Sequence, residues 1–271
     1  MYILKNNDPV MQEASRMTLR IRHFARGSYP EAGGEWAALP VNRFFIPLQN
    51  PSGEACFIAD EKNFFPLKPG CAYFIPLHHP ARVKLDENLE FISIHFTLEI
   101  FETIDIFSHC RTVFEVNDPA WQERAKRAFA EPEVFRGALL LRSLTEDFAA
   151  ETGMLADVDA LNFAERFADF QMELKYIQTN CRAGLSVAEV AKRHGWSREA
   201  FSREFSRQTG LSPKQFISRQ LLNHACQLLQ KQHRVRETAF ELGFSNEFYF
   251  SRFFKKHTGL SPKEYCRMYR K

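Results

Sequence analysis

A stretch written twice limits most tightly what this chain can fold into. Gly195-Trp196-Ser197, Phe201-Ser202-Arg203, Phe205 and Thr209-Gly210-Leu211-Ser212-Pro213-Lys214-Gln215-Phe216 come first. They return as Gly243-Phe244-Ser245, Phe250-Ser251-Arg252, Phe254 and Thr258-Gly259-Leu260-Ser261-Pro262-Lys263-Glu264-Tyr265. The offset is 48 residues at the Gly-aromatic-Ser step and 49 from Phe201 and Phe250 onward, so the second copy holds one extra residue. A repeat of this length means two copies of one supersecondary unit.

The unit can be read from its punctuation. Val187, Val190 and Ala191 recur at helical spacing over residues 186–194, the mark of a short amphipathic helix. Ser186 and Glu189 form a Ser-x-x-Glu capping box at its start. Gly195 supplies the left-handed residue that ends it. Ser197 is placed to cap a second helix reaching about Gln208. Helix, tight turn, helix is a helix-turn-helix. The second copy repeats it over 235–242, with Gly243 as the turn, Ser245 as the expected cap and a helix to about His257.

At 100° per residue, Phe201 and Phe205 share one face of the second helix. Arg203 then points away, flanked by Glu199, Ser206 and Arg207. In the other copy Phe250 and Phe254 face inward, and Arg252 points out beside Phe248, Lys255 and Lys256. The plainer reading of one such face is a solvated helix surface. The duplication and the charge argue for more. Residues 176–271 carry 18 Lys and Arg against 7 Asp and Glu, a net +11, so the rest of the chain is −8 for a total of +3. A basic module on an acidic partner is the electrostatic footprint of a nucleic-acid binder.

These motifs, together with Glu241-Leu242-Gly243-Phe244-Ser245 and Tyr249-Phe250-Ser251-Arg252-Phe253-Phe254-Lys255-Lys256, resemble the AraC/XylS family of bacterial transcription regulators over about Met172 to Arg270. The sequence departs from the family at Arg234-Val235-Arg236-Glu237-Thr238, where the family has a more apolar helix start. Thr238 stands for an aliphatic residue there. The resemblance implies sequence-specific binding of double-stranded promoter DNA, with RNA polymerase among the partners it allows. The candidate DNA contacts are Glu199, Ser202, Arg203, Ser206 and Arg207, then Asn246, Glu247, Phe248, Ser251, Arg252, Lys255 and Lys256. Between the units, residues 213–230 read as a single helix, a spacer able to hold two recognition helices about one DNA turn, ~34 Å, apart.

Residues 1–115 read as β-rich. Short runs at 19–24, 43–48, 55–59, 72–75 and 91–96 are separated by Gly, Pro and Asn at the spacing of a sandwich or barrel. Leu67-Lys68-Pro69-Gly70 followed by Ala72-Tyr73-Phe74-Ile75-Pro76 resembles the turn and strand of the cupin-like jelly roll in sugar-responsive AraC-type regulators. The fold expected is therefore α+β, a cupin-like β-barrel followed by an all-α double helix-turn-helix. A metal-dependent cupin needs two His at alternate strand positions. His78 and His79 are adjacent, and adjacent strand residues face opposite sides. No metal and no cofactor are expected, nor an enzyme. A sugar or sugar derivative is the expected effector, with Trp36, Arg43, Tyr73, His79 and His95 suited by type to hold it. The plainer reading makes Trp36 and Tyr73 core aromatics, Arg43 a solvated strand residue and His95 a satisfied core histidine. His78 and His79 are placed in a loop beside Pro80, one of them free to donate to a ligand.

Residues 116–171 read as helical, with segments at 120–130, 135–150 and 158–181 broken by Glu131-Pro132-Glu133 and by a linker-like stretch at 150–157. The apolar excess includes Leu139, Leu140, Leu144, Phe163 and Phe167. The resemblance makes these helices a homodimer interface; the plainer reading buries them inside the chain. The DNA-binding domain is expected at 172–271, with its units at 186–209 and 234–258. Six scattered Cys, no signal-like start and no run of about 20 apolar residues suggest a cytoplasmic protein off the membrane. Two rivals stay open: a cupin enzyme fused to a DNA-binding module, and an effector-free regulator whose barrel only dimerises.

Overall fold

A computed structural model describes residues 8–28, 32–100, 104–155, 166–231 and 234–269. A helix α1 (Asp8–Arg16) leads into two antiparallel sheets. The larger sheet has the order β1 (Met17–Gly27), β8 (Glu90–Ile100), β3 (Asn42–Gln49), β6 (Cys71–Ile75), β10 (Phe114–Asn117), with β9 (Ile104–Asp105) added on β8. The smaller runs β2 (Ala32–Ala37), β7 (Ala81–Leu85), β4 (Phe57–Ala59), β5 (Phe64–Pro66). The expected β-runs at 19–24, 43–48, 72–75 and 91–96 lie within β1, β3, β6 and β8; of the run expected at 55–59 only Phe57–Ala59 is strand (β4), because Gly53–Ala55 form a short 3-10 turn. Strands β2, β5, β7, β9 and β10 lack a long apolar run and were not legible.

The larger sheet is covered on both faces, so β3 is buried from Asn42 to Leu48 and only Gln49, its last residue, is exposed. Period-2 alternation sorts its side chains. Phe44, Ile46, Leu48, Phe74, Ile92, Ile94 and Phe96 face a helical layer, whereas Phe45, Tyr73, Ile75 and Phe91 join Ile58, Leu67 and Leu85 in a core between the sheets. That inter-sheet core is filled with apolar side chains. The helical layer is α2 (Ala120–Ala130) and α3 (Val134–Leu155), where Phe148 stacks on Phe44 and meets Trp121 edge-on.

Helix α3 differs from expectation at both faces and at its end. It runs without interruption through Gly153 to Leu155, where a linker was expected from residue 150. Nothing crowds Gly153, and Thr152 returns its hydroxyl to the Phe148 carbonyl at 2.8 Å. Leu144 and Phe167, expected at a dimer interface, are core residues exposed by 2% and 0%. Of the other expected residues, Leu140 is half-buried against the core, while Leu139 is exposed and shares an open face with Val134 and Phe135. Phe163 lies outside the described residues.

The rest is helical: α4 (Gln171–Thr179), α5 (Val187–His194), α6 (Arg198–Thr209), α7 (Pro213–Gln230), α8 (Val235–Glu241), α9 (Glu247–Thr258) and α10 (Pro262–Tyr269). The two repeats are anchored separately. Phe201, Phe205, Phe216 and Ile217 of the first continue the core beneath the larger sheet. Phe250, Phe254 and Tyr265 of the second pack with α7 and with Leu39 and Val41, just before β3. A backbone seam closes the second contact: Ala38 N donates to the Thr258 carbonyl at 2.9 Å. A Cβ at Gly259 would collide with the Trp36 carbonyl, and φ is +81° there, so only glycine suits the position.

Candidate nucleic-acid interface

Local chemistry builds each helix-turn-helix. Ser186 Oγ accepts from Glu189 N at 3.1 Å to start α5. The Glu189 carboxylate turns to Tyr176 Oη at 2.6 Å and to Arg182 at 3.1 Å, which ties α4 to α5. Gly195 and Gly243 make the turns with φ of 79° and 76°. Ser197 Oγ caps α6 by accepting from Ala200 N at 3.2 Å. In the second copy the cap is Asn246, whose side-chain oxygen accepts from Phe248 N and Tyr249 N, both at 3.0 Å. Ser245, the cap expected from its match to Ser197, is the residue before it. The extra residue of the second copy therefore falls in the turn, and the register of 49 already holds at the cap.

The ends match more closely than the starts. Thr209 Oγ1 donates to the Phe205 carbonyl at 2.6 Å and accepts from Leu211 N; Thr258 Oγ1 does the same with Phe254, at 2.8 Å, and Leu260 N. Ser212 and Gln215 then form a complete capping box for α7. Ser261 and Glu264 repeat its two bonds before α10. Helix α7 has 18 residues, about 27 Å at 1.5 Å per residue, and separates the two units as a rigid strut.

Phe201, Phe205, Phe250 and Phe254 are fully buried, which turns the opposite faces of α6 and α9 to solvent. Glu199, Arg203, Arg252, Lys255 and Lys256 are exposed there, Phe248 by 74%; Ser202, Ser206, Glu247 and Ser251 are half-buried beside them. Among the described residues no hydrogen bond or ion pair holds the Arg203 or Arg252 side chain. Two of the candidates are already engaged: Arg207 pairs with Glu204, and the Asn246 oxygen is the helix cap. The Glu204 carboxylate is held down to about 2 by Arg207 and Gln208, so it stays charged and keeps Arg207 on the helix. Sequence reading passed over Tyr249. It is exposed by 59% and lies about 60° from Arg252 on α9, so the helical wheel held the signal. Trp196, exposed at the first turn, packs edge-on against His194.

The five candidate ligand residues do not form one site. Trp36 is half-exposed on β2, on the outer side rather than in the core. Tyr73 is buried between the sheets, donates to the Pro66 carbonyl at 2.8 Å and accepts from Lys68 N at 3.0 Å. His79 is buried, with Nε2 held 3.2 Å from Asp60 Oδ2. Arg43 and His95 are cross-strand partners. Arg43 is buried, not solvated, with Nε and Nη2 unpartnered; burial presses its pKa down to about 10. His95 Nδ1 lies 2.8 Å from Tyr269 Oη of α10, so the last helix of the basic domain closes the polar mouth of the sandwich.

A cavity of about 280 Å³ opens beside that closure, between the domains. Arg20, Thr97 and Glu99 line it from the sandwich, Gln220, Asn223 and Gln227 from α7. Glu99 accepts from Thr97 at 2.7 Å and pairs with Arg20 at 3.4 Å and Arg22 at 3.9 Å.

Residues 181–268 match the family model described as a helix-turn-helix domain. The chain is similar to the HTH-type transcriptional activator Btr of Bacillus subtilis, 36% identical over 76 residues, 28% of this chain and 14% of that protein. It is also similar to the uncharacterized HTH-type transcriptional regulator YbfI of Bacillus subtilis, 27% identical over 79 residues, 29% of each. The chain thus matches less than a third of either curated relative. Among solved structures, unsaturated fatty acid bound ToxT from Vibrio cholerae follows 93% of this chain and 95% of its own with a TM-score of 0.58 at 11% identity, a likeness of fold. Residues 181–268 thus match a helix-turn-helix domain of the kind found in transcription regulators, and the chain as a whole follows a ToxT-like fold.

Proposed function

We propose that this protein is a transcription regulator that reads two successive major grooves of promoter DNA and answers a small polar effector. The observation that carries the DNA reading is the pair of unpartnered arginines, Arg203 and Arg252, at equivalent points of two exposed recognition helices. Arginine bonds guanine O6 and N7 bidentately, worth roughly 1–3 kcal/mol against a wrong base. Glu199 suits cytosine N4, and its counterpart Phe248 suits a thymine methyl, so the two half-sites are unlike. Sites selected from random duplexes test this. Arg203→Ala and Arg252→Ala should each relax one half of the selected site. Lys255→Ala should weaken all sequences alike and reduce the salt slope by about one. Equal loss on specific and random DNA in the arginine variants would reject the readout.

The effector reading rests on the interdomain cavity. Its amide, hydroxyl and charged lining suits a hydroxylated ligand such as a sugar better than the alkyl chain of the fatty acid in ToxT. The filled inter-sheet core favours the rival in which the sandwich only supports assembly. A thermal-shift screen against mono- and oligosaccharides separates them, since a ligand at 100 times its dissociation constant adds about 2.7 kcal/mol. Two copies paired through α3 would give a dimeric regulator with avidity on longer operators.

A further inference from the structure

At a second place between the domains, backbone bonds draw cationic side chains together. His78 N donates to the Leu39 carbonyl at 2.7 Å, and the neighbouring Ala38 N donates to the Thr258 carbonyl at 2.9 Å. His257, next to Thr258, is thereby brought to the His78 side of the seam. His78 has φ of +56°, the one positive value outside glycine among the described residues, a conformation that surrounding structure must enforce. Arg111 comes from the sandwich, its Nη1 fixed on the Ser108 and Cys110 carbonyls at 2.9 and 2.8 Å. His109, in the same turn, lies against Gly210 at the end of α6. Arg219 comes from α7.

Among the described residues, cationic groups converge here. The charges of Arg219, His257 and Arg111 bear on His78; those of Arg111, Arg166 and Arg219 bear on His109; that of Arg111 bears on Arg219; and Lys256 bears on His257. Among the described residues no carboxylate bears on His78, Arg219 or His257. Arg22, at the other cavity, is by contrast answered by Glu99. Arg219 Nη1 and the Ser108 hydroxyl are both buried without a hydrogen-bond partner. Burying unanswered donors among like charges is costly unless something supplies the acceptor and the opposite charge.

We propose that this seam binds a small oxyanion, of phosphoryl or carboxylate class, clamped between Arg219 of the DNA-binding domain and Arg111 of the sandwich. Charge-assisted bonds from two guanidinium groups suit such a ligand, and one anion would tie the two domains together. The site needs only the docked domains, so it stands apart from both the DNA reading and the effector cavity. Burial and cationic neighbours now hold His78 and His109 in the neutral form. A bound anion favours their protonated forms, so anion affinity rises as pH falls.

The test uses the full chain and its thermal unfolding midpoint, titrated separately with inorganic phosphate and with acetate, ionic strength held constant with chloride. One or both anions should raise the midpoint beyond chloride, more at about pH 6 than at about pH 8; which anion does so names the class. Arg219→Gln should weaken the apparent affinity about tenfold or more, while Lys126→Ala, on the surface of α2 beside Glu123, should leave it unchanged. Arg111→Gln should act like Arg219→Gln and serves if that variant does not fold. Chloride matching both anions, or an undiminished response in either seam variant, overturns the site.

Discussion

Thr238 shows how one residue can record the cost of divergence between two copies. Its counterpart in the first unit is Val190, and both are fully buried. The first copy packs two methyl groups there; the second buries a hydroxyl that finds no partner. Thr238→Val should therefore stabilise the protein by about 1 kcal/mol, because an unsatisfied buried hydroxyl costs more than its methyl replacement. A urea midpoint that fails to rise would mean the hydroxyl is bonded. Asp60 is the opposite case. Burial pushes its carboxyl up, but donation from Val113 N, Lys62 N and Asn63 more than offsets that and holds it at about 2. A depressed folded pKa gives stability that is present above the unfolded value, about 3.9, and is lost as pH falls toward 2. The melting temperature of the wild type should fall more steeply across that window than that of Asp60→Asn. Parallel curves would show that Asp60 is not the group titrating.

At the scale of the element, the caps decide where each recognition helix begins and hence which side chains its first turn presents. The copies diverge at the start of the first helix, where Ser186 gives way to Arg234 with no side-chain acceptor. They agree at the recognition helices, capped by Ser197 and Asn246. Asn246→Ala and Ser197→Ala should each cost about 1 kcal/mol, whereas Ser245→Ala should be near neutral, since Ser245 sits in the inserted turn. Denaturant midpoints of the three variants measure this. A Ser245 loss equal to that of Asn246 would move the insertion to the other side of the cap. Alignment of like with like paired Ser245 with Ser197; the backbone, which needs its acceptor two or three residues before the first free N–H groups, chose Asn246 instead.

Over the whole molecule, the sandwich fixes how the two reading units sit, because each is rooted in it through a different core. The α3 face bearing Val134, Phe135 and Leu139 has no cover among the described residues. If it pairs two copies, Leu139→Asp should turn a dimer into a folded monomer by solution mass, while Leu144→Asp, at a core position, should unfold the domain. A wild-type monomer at micromolar concentration would exclude this face. The repeat, the charge divide and the cap and turn residues by themselves determined the double helix-turn-helix, since its signals are local, within about four residues of the bond they make. Only tertiary structure decided which apolar residues of α3 are inside, because helical periodicity defines a face without saying what covers it. The same holds for Trp36, Arg43, Tyr73, His79 and His95. Suitable as a ligand set by type, they are distributed by strand register to an outer edge, a filled core and a mouth closed by a helix more than 170 residues away in the chain, an arrangement that no local pattern encodes.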